Sequence, residues 1–360
     1  MTPKSEEELA RIVAEADRPL RIVGGGTRPV GRSTGAALSL AGMSGVTLYE
    51  PGALTLVAKA GTPLAEITTL LAAENQRLAF EPMDHRKLLG TTGEPTIGGM
   101  VASNVSGPRR IAVGACRDFM LGVRFVDGSG NIVKNGSRVM KNVTGYDLVK
   151  LLCGSYGTLG VLTEVSLKVL PDVETQVTLV LQGLDDARAV AAMAAAMSSP
   201  FEVTGAAHDP ALSRTMLRLE GFADSVAYRA QALTDLLEPF GAAQAIDDPA
   251  IWATIRDVTA FADQPGDVWR LSVKPSDAPE LVAKAQARGV IYDWAGGLVW
   301  LLSEGDLRAR LGDFTGHATL IRGNAAVPVF QPEPAPIAAI AAGLRAKFDP
   351  RGLFNPGMMG

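Results

Sequence analysis

Residues 145–164 read GYDLVKLLCGSYGTLGVLTE. The first half has a helical apolar pattern, Leu148 to Leu152, and the second half is an apolar β-type run from Val161. Between them stand Gly154, Gly157 and Gly160, three glycines at a spacing of three. A helix, a glycine-rich turn and a strand in that order expose backbone beside an apolar wall, and such a turn can receive a flat aromatic ring such as adenine. Pro171 closes the segment.

Upstream, a short strand from Leu20 to Val23 runs directly into Gly24-Gly25-Gly26-Thr27-Arg28-Pro29. Glycines after a strand let backbone N–H groups approach an anion, and a pyrophosphate suits this loop. The dinucleotide fingerprint GxGxxG is excluded, because Pro29 occupies its third glycine position and residues 32–40 make a poor helix. The phosphate loop GxxxxGK[ST] is excluded as well. Residues 26–33 read GTRPVGRS, with Arg32 in place of the lysine. A second glycine cluster, Pro95-Thr96-Ile97-Gly98-Gly99, leads to Asn104, Gly107, Arg109 and Arg110. The whole stretch 91–114 reads as an irregular loop, and loops of that length are usually functional. The two clusters are expected to clamp one diphosphate from two sides.

The flanking elements are ordinary. Ser5 and Glu8 form a capping-box pattern for a first helix. Thr62 is expected to cap a helix from Pro63 to Glu74. Asp127-Gly128-Ser129-Gly130 reads as a hairpin turn. The chain has 360 residues, 47% hydrophobic and 20% charged, enough for two packed cores. Its two cysteines, Cys116 and Cys153, form no disulfide framework and fit a reducing compartment. No apolar run reaches the ~20 residues of a membrane span. The expected location is therefore cytoplasmic. Residues 1–172 carry a net +3 and residues 173–360 a net −7. That balance argues against nucleic acid as partner.

After Pro171 strand-like and helical runs alternate, as in an antiparallel sheet with helices on one face. The division falls near residue 172, with residues 173–334 as a second domain and 335–360 as a tail.

Taken together these segments resemble the FAD-binding domain of the vanillyl-alcohol oxidase and p-cresol methylhydroxylase (PCMH) type. Its first loop corresponds to Gly24–Thr27, its second to Pro95–Gly107 with Gly114 and Asp118, and its third to Gly145–Glu164. The tail FDPxGxFNPG corresponds to Phe348–Gly357. The resemblance implies an α+β fold: a two-subdomain PCMH-type FAD-binding domain (1–172, completed by 335–360) and an α/β, ferredoxin-like cap (173–334). It implies bound FAD held by Gly24, Gly25, Gly26, Thr27, Arg28, Thr96, Ile97, Gly98, Gly99, Asn104, Gly107, Arg110, Asp118, Gly160, Val161 and Asn355. Covalent members attach the flavin through a His near the first loop; Thr27 and Arg28 stand there instead, so non-covalent FAD is expected.

Ser106–Arg110, Arg117–Phe119, Val139–Asp147, Asp293–Trp300 and Gly316–Leu320 narrow the resemblance to the E-type subunits of glycolate oxidase. What it implies is an FAD-dependent oxidoreductase subunit acting on the CH–OH group of 2-hydroxy acids, by accepting or relaying electrons. Its implied partners are a D subunit with FAD and the hydroxy-acid site, and an iron–sulfur F subunit. Membrane association is expected only through the complex. Departures from the catalytic relatives are Tyr156 in place of Glu and a lone Gly316-His317-Ala318 in place of a paired-His segment. A stand-alone 2-hydroxy-acid (D-lactate or glycolate) dehydrogenase is the alternative. No catalytic residue is assigned and no metal site is expected. His85 reads as part of a solvated turn rather than as a proton carrier at the flavin edge, His208 as lying in a turn, and Arg270 and Lys274 as one face of a solvated sheet edge rather than as a hold for a carboxylate.

Overall fold

The computed structural model describes residues 1–137, 145–324 and 326–359. Val139–Thr144, part of one motif above, lie outside the described residues.

Two sheets organise the chain. The first has five strands in the order Val46–Glu50, Thr55–Lys59, Val161–Lys168, Met120–Val126, Ile132–Gly136, all antiparallel. Its central strand carries Val161, Leu162, Val165 and Leu167 into a core shared with Leu9, Val13, Leu56, Ile67, Leu71 and Phe125. Leu9 and Val13 lie one helical turn apart on Glu6–Glu15, whose N-cap Ser5 accepts from the Glu8 N–H at 3.2 Å. Beside this sheet, Leu20–Val23 pairs in parallel with Ala36–Ser39. The tail joins it: the Leu20 N–H donates to Leu353 O at 2.7 Å and the Asn355 N–H to Leu20 O at 2.9 Å. So the chain end and the first strand form one unit.

The second sheet has eight antiparallel strands, in the order Ala243–Ile246, Thr175–Gln182, Arg214–Gly221, Gly205–Asp209, Gly289–Asp293, Leu298–Leu302, Val268–Val273, Gly316–Arg322. One face is covered by helices that include Asp186–Met197, Ala223–Leu237 and Ala278–Ala285. The other face holds Trp252, Ile291, Trp294 and Trp300, packed against Val30, Met83 and Leu88 of the N-terminal half. An ionic seam accompanies this apolar one. Arg218 forks onto Glu81 at 2.7 and 2.9 Å, and Glu220 takes Arg77 at 2.9 Å together with Arg109 and Thr204.

Three local readings are corrected. The stretch 91–114 contains two short helices, Ile97–Ala102 and Arg110–Val113. Glycine pairs suppress helix propensity, but Thr96 caps the first helix by accepting from the Gly99 N–H. Thr62 does not cap: its Oγ1 donates to Lys59 O at 2.7 Å and accepts from the Gly45 N–H, and the helix runs Leu64–Ala72. His208 lies in no turn. It is fully buried on the strand Gly205–Asp209, its Nδ1 2.9 Å from Thr215 Oγ1.

Candidate functional site

A cavity of about 630 Å³ opens where the first strand, the second glycine cluster, the third turn and the tail meet. That volume falls within the ~300–1,000 Å³ usual for small-molecule sites. One wall is the loop Gly24–Thr34. Facing it are Pro95, Thr96, Gly98, Gly99 and Ser103, then Tyr156, Gly157, Gly160 and Leu162, and finally Asn355 and Met358.

The first two loops touch backbone to backbone. A Cβ on Gly25 would collide with the Glu94 carbonyl, and a Cβ on Gly93 with the Gly25 carbonyl. Gly26 has φ +71 and open space around its Cβ position. The amides of Gly25, Gly26 and Thr27 find no protein acceptor among the described residues. A run of unsatisfied N–H groups around a positive-φ residue is an anion-binding concavity. The second cluster works differently. The Ile97 N–H donates to Thr62 O, the Gly98 N–H to Ala60 O and the Gly99 N–H to Thr96 Oγ1. Its amides are spent within the protein, so this loop contributes shape and apolar surface.

The third turn rests on the end of the helix Ile97–Ala102, through Gly154 N–H to Val101 O and Tyr156 N–H to Ala102 O. Asn355 ties it to the first strand: its Oδ1 accepts from the Ile22 N–H at 2.8 Å and its Nδ2 donates to Tyr156 O at 2.7 Å. Arg28, Met83, His85 and Tyr156 also line the cavity, and Met83 packs in the cluster that holds Trp294 and Trp300 of the eight-stranded sheet's face.

Ten of the residues expected at the site line the cavity: Gly24, Gly25, Gly26, Thr27, Arg28, Thr96, Gly98, Gly99, Gly160 and Asn355. Six stand behind it. Ile97 and Val161 are buried in the core. Asn104 accepts from the Arg117 N–H, and Asp118 from the Ala115 N–H. Gly107 O accepts from Trp294 Nε1 at 3.0 Å, and the Arg110 guanidinium stacks on that indole at 4.5 Å. His85 is not in a solvated turn. It is 6% exposed, and burial, together with the Arg28 and Arg270 charges, pushes its pKa well below the ordinary value. An isolated histidine carries no sequence periodicity, so its burial has no local signal. Arg270 and Lys274 part company: Lys274 is exposed, while Arg270 stacks on Trp294 at 5.1 Å and burial brings it down to about 10. His317 is exposed. Among the described residues no group of acidic, His and Cys side chains is placed to hold a metal, and no helix is long and apolar enough to cross a membrane.

Comparison with known proteins adds identity to this geometry. Residues 1–136 match the family model described as FAD binding domain. The glycolate oxidase subunit GlcE of Escherichia coli is 37% identical over 337 residues, covering 92% of this chain and 88% of that one. The glycolate oxidase subunit GlcD of Bacillus subtilis is 30% identical over 186 residues, covering 50% of this chain and 38% of that one. Among solved structures, alkyldihydroxyacetonephosphate synthase superposes with a TM-score of 0.73 over 99% of this chain and 76% of its own, at 17% identity, a likeness of fold. An FAD-binding family match together with 37% identity to GlcE over nearly the whole of both chains leaves one assignment: the chain belongs to the glycolate oxidase subunit GlcE family.

Proposed function

We propose that the cavity holds one FAD without a covalent bond, and that the chain is the flavin subunit of a glycolate-oxidising complex that accepts or relays electrons. The observation that carries this is the run of unsatisfied amides at Gly25–Thr27 at the wall of a cavity closed by the other two glycine segments and the tail. In this reading Gly24–Thr27 hold the pyrophosphate, Thr96, Gly98 and Gly99 shape the opposite wall, Gly157 and Gly160 face the adenine, and Asn355 fixes the two walls against each other. Ile97, Asn104, Gly107, Arg110, Asp118 and Val161 support those segments from behind. Residues 1–172 with 335–360 form the FAD domain, and 173–334 the cap. Bound FAD supplies reversible two-electron chemistry at its ring.

The hydroxy-acid site is assigned to a GlcD-like partner, with an iron–sulfur subunit completing the path and any membrane association made through them. What supports this is that, among the described residues, the one histidine lining the cavity is already engaged. Oxidising a 2-hydroxy acid needs a group that takes the hydroxyl proton. His85 already accepts from the Arg28 Nε–H at 3.1 Å, and His317, exposed at the start of its strand, is not among the residues that line the cavity. Arg270, which makes no ion pair among the described residues, favours the second reading, a stand-alone 2-hydroxy-acid dehydrogenase. Co-purification from the native source, with flavin counted per complex, tests the assignment: one FAD on this chain in addition to the partner's supports it, and none refutes it.

A further inference from the structure

Arg28 reaches into the cavity wall held by neutral groups. Its Nε donates to His85 Nε2 at 3.1 Å, its Nη2 donates to the Tyr156 hydroxyl at 3.2 Å, and its guanidinium lies 5.2 Å from the centre of the Tyr156 ring. Tyr156 is itself fixed, edge-on to Phe330 at 4.9 Å and with its carbonyl taken by Asn355. No carboxylate bridges to Arg28 among the described residues. The acid next in sequence, Asp84, is committed to Arg86 at 2.9 Å. An arginine fixed by a carboxylate is a neutral pair, whereas one fixed by a neutral imidazole keeps its whole charge for whatever enters the cavity. Accepting at Nε2 also places the imidazole proton on Nδ1, toward the Met83 backbone.

We propose that His85 is a positioning residue: it holds the Arg28 guanidinium at the cavity wall without cancelling its charge, so that a cation stands ready to stabilise the negative charge that electrons bring to the flavin ring. This rests on the reading that the cavity takes FAD. It makes the bound flavin a better electron acceptor, as a relay subunit requires.

The test compares His85→Gln, which keeps a neutral acceptor, with His85→Asp, which adds a carboxylate against Arg28. The flavin midpoint potential and the FAD dissociation constant are measured for each. The Gln variant should match the parent protein, and the Asp variant should show a lower potential and weaker FAD binding. Equal perturbation in both, or none in either, overturns the proposal. Should the Asp variant fail to fold, Arg28→Gln removes the charge directly and must lower the potential; an unchanged value overturns the proposal equally. Nitrogen-15 NMR of the His85 ring is independent of flavin. It should show a neutral Nδ1–H tautomer at pH 6, and a protonated ring or the other tautomer contradicts the proposal. Protein without any FAD tells against the flavin reading instead, and the ring spectrum then decides this one.

Discussion

The Asn355 side chain donates to the Tyr156 carbonyl at 2.7 Å, joining the end of the chain to a turn 199 positions earlier. The same side chain accepts from the Ile22 N–H. Three segments remote in sequence therefore meet at one buried amide, and the cavity lies between them. Asn355→Ala leaves an orphaned donor and an orphaned acceptor, each costing about 1–3 kcal/mol if buried. We expect a folded protein with a lowered urea midpoint and weakened FAD binding. A midpoint and a dissociation constant both equal to those of the parent protein would remove Asn355 from the site.

Gly25 and Gly26 should fail in different ways. Gly25→Ala forces a methyl into the Glu94 carbonyl and separates the two loops. It should lower thermal stability even without FAD. Gly26→Val meets no protein atom nearby but must hold φ near +71. A left-handed residue costs ~1–2 kcal/mol, more for a β-branched side chain. The variant should fold and purify largely colourless. Normal flavin content would move the pyrophosphate elsewhere.

Glu220 sets the acid limit of the inter-sheet seam. Burial alone would raise its pKa, but the Arg218 and Arg109 charges, the Thr204 hydroxyl and Arg77 outweigh it and bring it down to about 2. A carboxylate with a depressed folded value stabilises fully above its unfolded pKa of 4.5 and loses that contribution as pH falls toward 2. The shift corresponds to roughly 3 kcal/mol. Glu220→Gln should therefore destabilise the protein at pH 7 by an amount of that order, with the difference from the parent shrinking between pH 4.5 and 2. An equal difference at both ends of that range would show that the seam does not depend on this charge.

How much of this was legible in the sequence depends on distance along the chain. The strand before Gly24, the hairpin at Asp127–Gly130 and the Ser5 cap are local signals, and they sit where the residues put them. The helix Ile97–Ala102 was hidden because Gly98 and Gly99 are poor helix formers, and only packing against Ala60 and the Thr96 cap holds it. The expected two-sided amide clamp was half legible. Glycines mark a close approach, but not what approaches. At Gly98 it is Ala60, and at Gly25 it is Glu94. His85 and Arg270 belong to the seam between the sheets, and no window of sequence contains both.

FAD should leave the denatured protein intact. Thr27 and Arg28 offer no ring nitrogen at the first loop, so acid precipitation should give a yellow supernatant and a white pellet. At a hundredfold excess over the dissociation constant, FAD should add about 2.7 kcal/mol of stability, seen as a higher melting temperature. A pellet that stays yellow would mean a covalent bond.

In the relay reading this chain carries electrons without oxidising the hydroxy acid itself. Loss of general-base help alone slows such a reaction by roughly 10²–10⁴, and His85 is engaged by Arg28. The direct measurement is anaerobic mixing of the isolated yellow chain with millimolar glycolate or D-lactate, following the flavin band. The band should stay unchanged over minutes; bleaching within seconds would contradict the relay role and make the chain a dehydrogenase in its own right.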